Sequence, residues 1–115
     1  MNKRQIGIIG EDIACNYLSK NSYKIMERNF NCNQGEIDII VRDINTNEVV
    51  FIEVKSRNNK KFGRGIDSIN KRKIIHIINS AKYYLYVNRL DINIRFDVIE
   101  VYIKDKKINH IKQII

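Results

Sequence analysis

The sequence contains no proline, no low-complexity linker and no internal repeat. A Pro-rich spacer, a collagen-like chain and a repeat array are thereby excluded. Its two cysteines, Cys15 and Cys32, form no CxxC pair, and its two histidines, His76 and His110, stand far from them and from each other. Such a set gives no basis for a disulfide scaffold, a zinc cluster or a Cys–His nucleophile. No apolar run approaches the roughly 18–20 residues of a membrane span. The basic start, Met1-Asn2-Lys3-Arg4-Gln5, leads into no signal-type apolar block, and charge returns at Glu11-Asp12. The expectation is a soluble, cytoplasmic protein that does not engage a membrane.

What is present fits one modest core. The 115 residues are 43% hydrophobic and 30% charged, ordinary globular usage, and they predict a single domain over 1–115. Lys plus Arg is 21 against 13 for Asp plus Glu, a net charge of +8. A small basic domain commonly meets an acidic partner, nucleic acid first among them. Ile, Asn and Lys together fill 52 of the 115 positions, so part of the lysine excess reflects composition alone.

Periodicity divides the chain into seven elements. Ile6, Ile9, Ile13, Tyr17 and Leu18 recur at helical steps over 4–20, with Gly7 and Gly10 weakening that helix or allowing a close approach. Strands are predicted over 23–31, 36–42 and 48–56, joined by Asn- and Gly-containing turns. A polar loop, Asn58–Gly65, carries Lys60, Lys61 and Arg64. A long helix over 67–88 has Ile69, Ile74, Ile77, Ile78, Ala81 and Leu85 on its apolar side and Lys71, Arg72, Lys73 and Lys82 on its outer face. Strands over 92–103 and 108–114 follow. The order predicts an α/β fold, a mixed sheet flanked by helices.

The hairpin 36–56 carries the chemistry. Ile37, Ile39 and Val41 alternate on one strand, and Val50, Ile52 and Val54 on the next. The opposite face receives Glu36 and Asp38 from one strand and Glu53 and Lys55 from the other. A turn centred near Asn45 makes paired numbers sum to about 91, which sets Asp38 against Glu53 and Glu36 against Lys55. Two opposed carboxylates on a covered face repel and resist desolvation. A shared proton relieves this, and a divalent cation with oxygen ligands, Mg²⁺ or Mn²⁺, relieves it better. Such a site suits phosphodiester hydrolysis, with Lys55 stabilising developing charge. The bland alternative is an exposed sheet face with cross-strand ion pairs. The triplet Glu53-Val54-Lys55 decides nothing by itself, because thirteen acids and thirteen lysines produce an acid-x-Lys triplet about 1.5 times by chance. Its strand context and the partner Asp38 give it meaning; Asp105–Lys107, the other instance, lies in a polar turn.

Several blocks occur in order: Gly10-Glu11-x-x-Ala14-x-x-Tyr17-Leu18, Tyr23-x-Ile25, Arg28-Asn29-Phe30, Gly35-Glu36-Ile37-Asp38-Ile39-Ile40, Phe51-Ile52-Glu53-Val54-Lys55-x-Arg57, Lys71, Lys73, Ala81-x-x-Tyr84-Leu85 and Arg95-Phe96-Asp97-Val98. From Gly10 to Val98 the chain resembles the bacterial YraN-like family of small endonuclease-like proteins. That family belongs with the PD-(D/E)XK nucleases and is similar to archaeal Holliday junction resolvases. The resemblance implies a restriction-endonuclease-like αβββαβ core. It implies a Mg²⁺- or Mn²⁺-dependent nuclease with Asp38, Glu53 and the Val54 carbonyl as metal ligands and Lys55 as catalytic lysine. Glu11 matches the first-helix glutamate that joins the site in resolvase-like members. The motif's proline is absent, since Ile37 precedes Asp38.

DNA, including branched or repair intermediates, is the expected partner ahead of RNA, with Lys60, Lys61, Arg64, Lys71 and Lys73 as candidate phosphate contacts. Resolvase-like relatives also suggest a homodimer. The alternatives are a non-catalytic nucleic-acid-binding module with the same fold and an adaptor for an acidic protein. Glu36 reads as structural or as a partner of Lys55. Asp97 reads as the partner of a cation. Tyr83, Tyr84 and Tyr86 read as packing residues or as platforms for bases.

Overall fold

A computed structural model describes residues 1–57 and 70–115. The loop Asn58–Gly65, with its candidate contacts Lys60, Lys61 and Arg64, and the expected start of the second helix at 67 lie outside the described residues. Among those described, the chain forms α1 (Lys3–Lys20), β1 (Tyr23–Cys32), β2 (Gly35–Asp43), β3 (Glu48–Arg57), α2 (Lys71–Val87), β4 (Ile94–Tyr102) and β5 (Lys107–Ile111). The strands make one mixed sheet in the order β1-β2-β3-β4-β5. Among the described strands only β3 and β4 run parallel, joined by the α2 crossover. This is the α/β, αβββαβ arrangement expected from the sequence.

Each helix begins on an asparagine. Asn2 caps α1 through a reciprocal pair with Gln5, each side chain accepting the other's backbone N–H. Asn70 caps α2 by accepting the Lys73 N–H at 2.9 Å, which fixes Lys73 in the first turn. The two helices cover opposite faces of the sheet. Ala14 and Leu18 of α1 pack on Ile39, Val41, Val50, Ile52, Ile99 and Val101. Ala81 and Tyr84 of α2 pack with Ile37, Ile40, Val49 and Phe51. Tyr84 is therefore core, whereas Tyr86 stands out in solvent.

Glycine sets the distance between α1 and the sheet. A Cβ on Gly10 would collide with the Oγ and Cβ of Ser56, so helix and strand meet there at backbone range. Gly7, one turn earlier, faces open space.

The expected faces of β2 need one correction. Ile37 does not share a face with Ile39 and Val41; it belongs to the α2 side with Ile40. The break in alternation falls at Asp38. The β1–β2 pairing slips by one residue between Ile25 and Glu27, and the ladder skips Asn29 and Asp38. Asn29 is left-handed (φ 52°), a conformation asparagine tolerates better than most residues. The kink breaks strict alternation, which sequence periodicity assumes throughout.

At the far end of the sheet a buried ionic cluster joins all five described strands. Arg95 of β4 bonds both carboxyl oxygens of Asp97 at 2.9 Å, Asp43 at 2.9 Å, Glu48 at 3.1 Å and the Tyr23 hydroxyl at 3.0 Å. Asp97, fully enclosed, also accepts from His110 Nε2 at 2.8 Å and from the Gln113 N–H at 3.0 Å. With Nε2 donating, Nδ1 of His110 accepts the Tyr17 hydroxyl, 2.9 Å away. Asp97 thus has its cation, as the sequence suggested. No buried side-chain nitrogen or oxygen among the described residues lacks a hydrogen-bond partner.

Candidate active site

The site lies where β2 and β3 part. Their antiparallel ladder runs from Asp43↔Glu48 to Ile39↔Ile52, every pair summing to 91, and ends there. Asp38 and Glu53 are therefore not ladder partners, and neither are Glu36 and Lys55; Glu36 pairs with Asn31 of β1 instead. The register was legible, but its extent was not, because the kink at Asn29 and Asp38 carries β2 away from β3.

That divergence creates the site. Beyond Ile52 the Val54 N–H has no strand partner on the β2 side, and the Asp38 carboxylate accepts it at 2.8 Å. N–H and C=O of one strand residue point the same way, so the Val54 carbonyl also faces the gap. Glu53, almost fully buried, enters the gap from the next position. Burial first, then the charge of Glu53, raise the Asp38 carboxyl to about 8, against which the Val54 N–H works. At neutral pH the carboxyl pair therefore retains a proton.

Two lysines face the pair. Lys73 Nζ lies 3.0 Å from Glu53 Oε1, and Lys55 Nζ lies 3.8 Å from the same oxygen. Burial, helped by the charge of Lys73, pushes the Lys55 ammonium below its usual value, against the pull of Glu53. Burial opposes the charge on Lys73 as well, but Glu53 outweighs it and the net shift is upward. Lys73 was expected on the outer face of α2. It turns inward because it stands one turn before Ile77 on the buried stripe that continues to Ala81. That spacing was available in the sequence but is masked by the run Lys71-Arg72-Lys73. Lys71 is exposed on the first turn.

Glu11 reaches the rim from α1. It lines a depression of about 380 Å³ together with Lys3, Gly7, Asp38, Glu53 and Ser56. Burial raises its carboxyl above the usual range, opposed by Asn29 and Arg28; the nearest Arg28 nitrogen is 3.7 Å away. Asp38 and Glu53 also line a second, larger cavity on the α2 side. The carboxyl pair thus opens both ways, towards α1 and towards α2.

The donor chemistry suits a hard divalent cation. Two crowded carboxyls, one holding a proton because it cannot share the other's charge, and a carbonyl facing the same gap are oxygen ligands of the right kind. Among the described residues no three His, Cys, Asp or Glu side chains converge on one point. Such an ion would thus rest on Asp38, Glu53 and the Val54 carbonyl, with solvent or substrate completing its shell, the usual manner of Mg²⁺. Glu11 stands at the rim rather than among the donors.

The fold and site define a class: an α/β domain of αβββαβ topology with paired carboxyls and lysines at the parting of its central hairpin. Within that class the chain belongs to the uncharacterised protein family UPF0102, whose model matches residues 10–101, the YraN-like group that its sequence blocks resemble. A UPF0102 protein of Clostridioides difficile (strain 630) is 47% identical over 112 residues, 96% of either chain. A UPF0102 protein of Caldicellulosiruptor bescii is 42% identical over 118 residues, covering 97% of this chain and 98% of the other. Among solved structures, Pyrococcus furiosus SfsA in complex with Ca²⁺ aligns at 13% identity with a TM-score of 0.35, over 96% of this chain and 64% of that one. That likeness is too low to carry an argument. Among the described residues no helix is long and apolar enough to cross a membrane.

Proposed function

We propose that the protein hydrolyses phosphodiester bonds in nucleic acid, DNA in particular, in a reaction that depends on Mg²⁺ or Mn²⁺. One observation carries this reading: the sheet opens to force Asp38 and Glu53 together at a solvent-accessible cleft and sets Lys55 and Lys73 against them. A purely structural ion pair needs no such opening, and a buried proton on Asp38 is costly to keep. A divalent cation bound here would polarise a phosphoryl oxygen and activate water.

The protein's own groups do the rest. Asp38 and Glu53 orient the donors, with Asp38 fixed by the Val54 N–H. Lys55, half-buried and with its proton loosened, holds the attacking water or meets charge growing on the phosphate. Lys73 is placed to take a neighbouring phosphate once Glu53 is otherwise occupied. The net charge of +8 favours a polyanionic substrate. Branched or repair intermediates are the substrates suggested by the resemblance to resolvases, and two sites acting on two strands would require a homodimer.

The test is cleavage of a panel of duplexes, flaps, junctions and single strands, with Mg²⁺, Mn²⁺ or chelator, beside Asp38→Ala and Glu53→Ala. Metal-dependent cleavage abolished by either change is expected. Lys55→Ala is expected to cost about 10²–10³ in rate. Salt-sensitive binding without cleavage on any substrate would leave only a binding module.

A further inference from the structure

The cavity on the α2 side of the carboxyl pair is larger than a phosphate needs. Its volume is about 500 Å³, within the ≈ 300–1,000 Å³ of pockets that enclose small organic groups. Besides Asp38 and Glu53 its walls include Cys32, Asn33 and Gln34 from the β1–β2 turn and Arg72, His76 and Ile77 from α2. Cys32 and Ile77 supply apolar surface, while two amides and an imidazole supply hydrogen-bonding edges.

We infer that this cavity receives the base of one unpaired nucleotide whose adjoining phosphate lies at Asp38 and Glu53. The inference rests on the hydrolytic reading for the position of the phosphate and adds the state of the substrate. The imidazole is held for the purpose. His76 Nδ1 donates to the Gln34 carbonyl at 2.8 Å, which leaves Nε2 as an acceptor for an exocyclic amine or ring N–H. The same bond ties α2 to the turn and so fixes two walls of the cavity relative to each other. Gly35 makes that approach possible: its φ of 146° is open to glycine, and a Cβ there would press on His76 and Ser80 at 3.2 Å. Arg72, at the rim, meets the backbone that follows. A base within a duplex is stacked on both faces and paired along its edge, so it reaches such a cavity only by leaving the helix, which is least costly when it is already unpaired. Over the same turn a second depression, sharing Cys32, Asn33 and Gln34, is bounded by the exposed ring of Tyr83, a platform on which the next base can stack.

The test uses 2-aminopurine as the base and the full-length protein in chelator, where binding is read without cleavage. Three probes are compared: a paired duplex, the same duplex with a single unpaired 2-aminopurine nucleotide, and the free 2-aminopurine mononucleotide. The unpaired site should bind about tenfold more tightly than the paired duplex, with a change in 2-aminopurine emission. His76→Ala and Asn33→Trp, the latter filling the cavity from an exposed turn position, should each reduce that preference to near unity. Equal affinity for paired and unpaired probes, a preference that survives both variants, or a mononucleotide bound as tightly as the strand would each overturn it. Cleavage without preference for unpaired nucleotides removes this inference and leaves the hydrolytic reading; preference without cleavage on any substrate does the reverse.

Discussion

Lys73, from the first turn of α2, lies 3.0 Å from Glu53, nearer than the Lys55 of Glu53's own strand. A cation from a separate element thus neutralises the carboxylate that a metal would use. Removing it should help the metal: in Lys73→Met the Mn²⁺ concentration giving half-maximal thermal stabilisation should fall about fivefold, the effect of about 1 kcal/mol of lost competition. A midpoint that rises, or stays put, would show that Lys73 does not compete for this site.

The raised carboxyl of Asp38 makes stability depend on pH with a definite sign. The folded protein holds a proton up to about pH 8, whereas an unfolded aspartate releases it near 3.8. The contribution of Asp38 to stability is therefore full below about 4 and declines as pH rises to about 8. Asp38→Asn carries no such proton, so without metal its Tm should exceed that of the unaltered protein at pH 8 and approach it at pH 4. Each kcal/mol gained is worth about 4–8 °C in a domain near this size. A constant difference across that range would mean that Asp38 is ionised throughout.

Metal and proton compete for the same oxygens. Titration of Mg²⁺ or Mn²⁺ at pH 7, followed by calorimetry in two buffers of different ionisation heat, should reveal release of close to one proton per ion. Asp38→Asn should release none and bind more weakly. Proton release that persists in the variant would place the ion elsewhere.

Gly10 sets the spacing of α1 from β3. Gly10→Ala forces a methyl against Ser56 and should cost about 1–3 kcal/mol, the usual penalty of overpacking. Ser56→Gly removes the obstructing atoms, so the double variant should recover part of that loss. Denaturant melts of the four proteins of the cycle give the coupling directly.

At the other end of the sheet, Arg95→Met strands Asp43, Asp97 and Glu48 and should destabilise by about 3–5 kcal/mol, the range for breaking a buried pair. Asp97, though burial works to raise it, is held below the usual carboxylate range by His110, Arg95 and the Gln113 N–H. Asp43, also with burial opposing, is lowered by Arg95 and by the backbone of Thr46 and Asn45. Both contribute stability above about pH 4 that disappears as pH falls further. An acid transition in the unaltered protein that Arg95→Met shifts to higher pH is the expected result in a Tm series.

Much of this was readable from period and spacing. The seven elements follow from helical and strand periodicity, and the 91 register follows from alternation in two strands about a turn centred near Asn45. What escaped is what alternation cannot encode. The β1–β2 ladder is interrupted at left-handed Asn29 and Asp38, Ile37 beyond it lies on the other face, and the β2–β3 ladder ends before Asp38. Lys73 looked like a solvated cation because its neighbours are solvated cations, although its step to Ile77 placed it on the buried stripe. Arg95 finds partners at 23, 43 and 48, contacts that depend on which strands distant in sequence share one sheet.

The Arg95 cluster meets β3 at its first residue, Glu48, and the carboxyl pair meets it past the middle, at Glu53, so rigidity and reactivity occupy different poles of one strand. Lineages can redraw the reactive pole, swapping a lysine or reshaping a pocket wall, while the anchored pole keeps the scaffold folded. Variation among relatives should therefore be unequal along β3, sparing the anchor even where the chemistry has drifted.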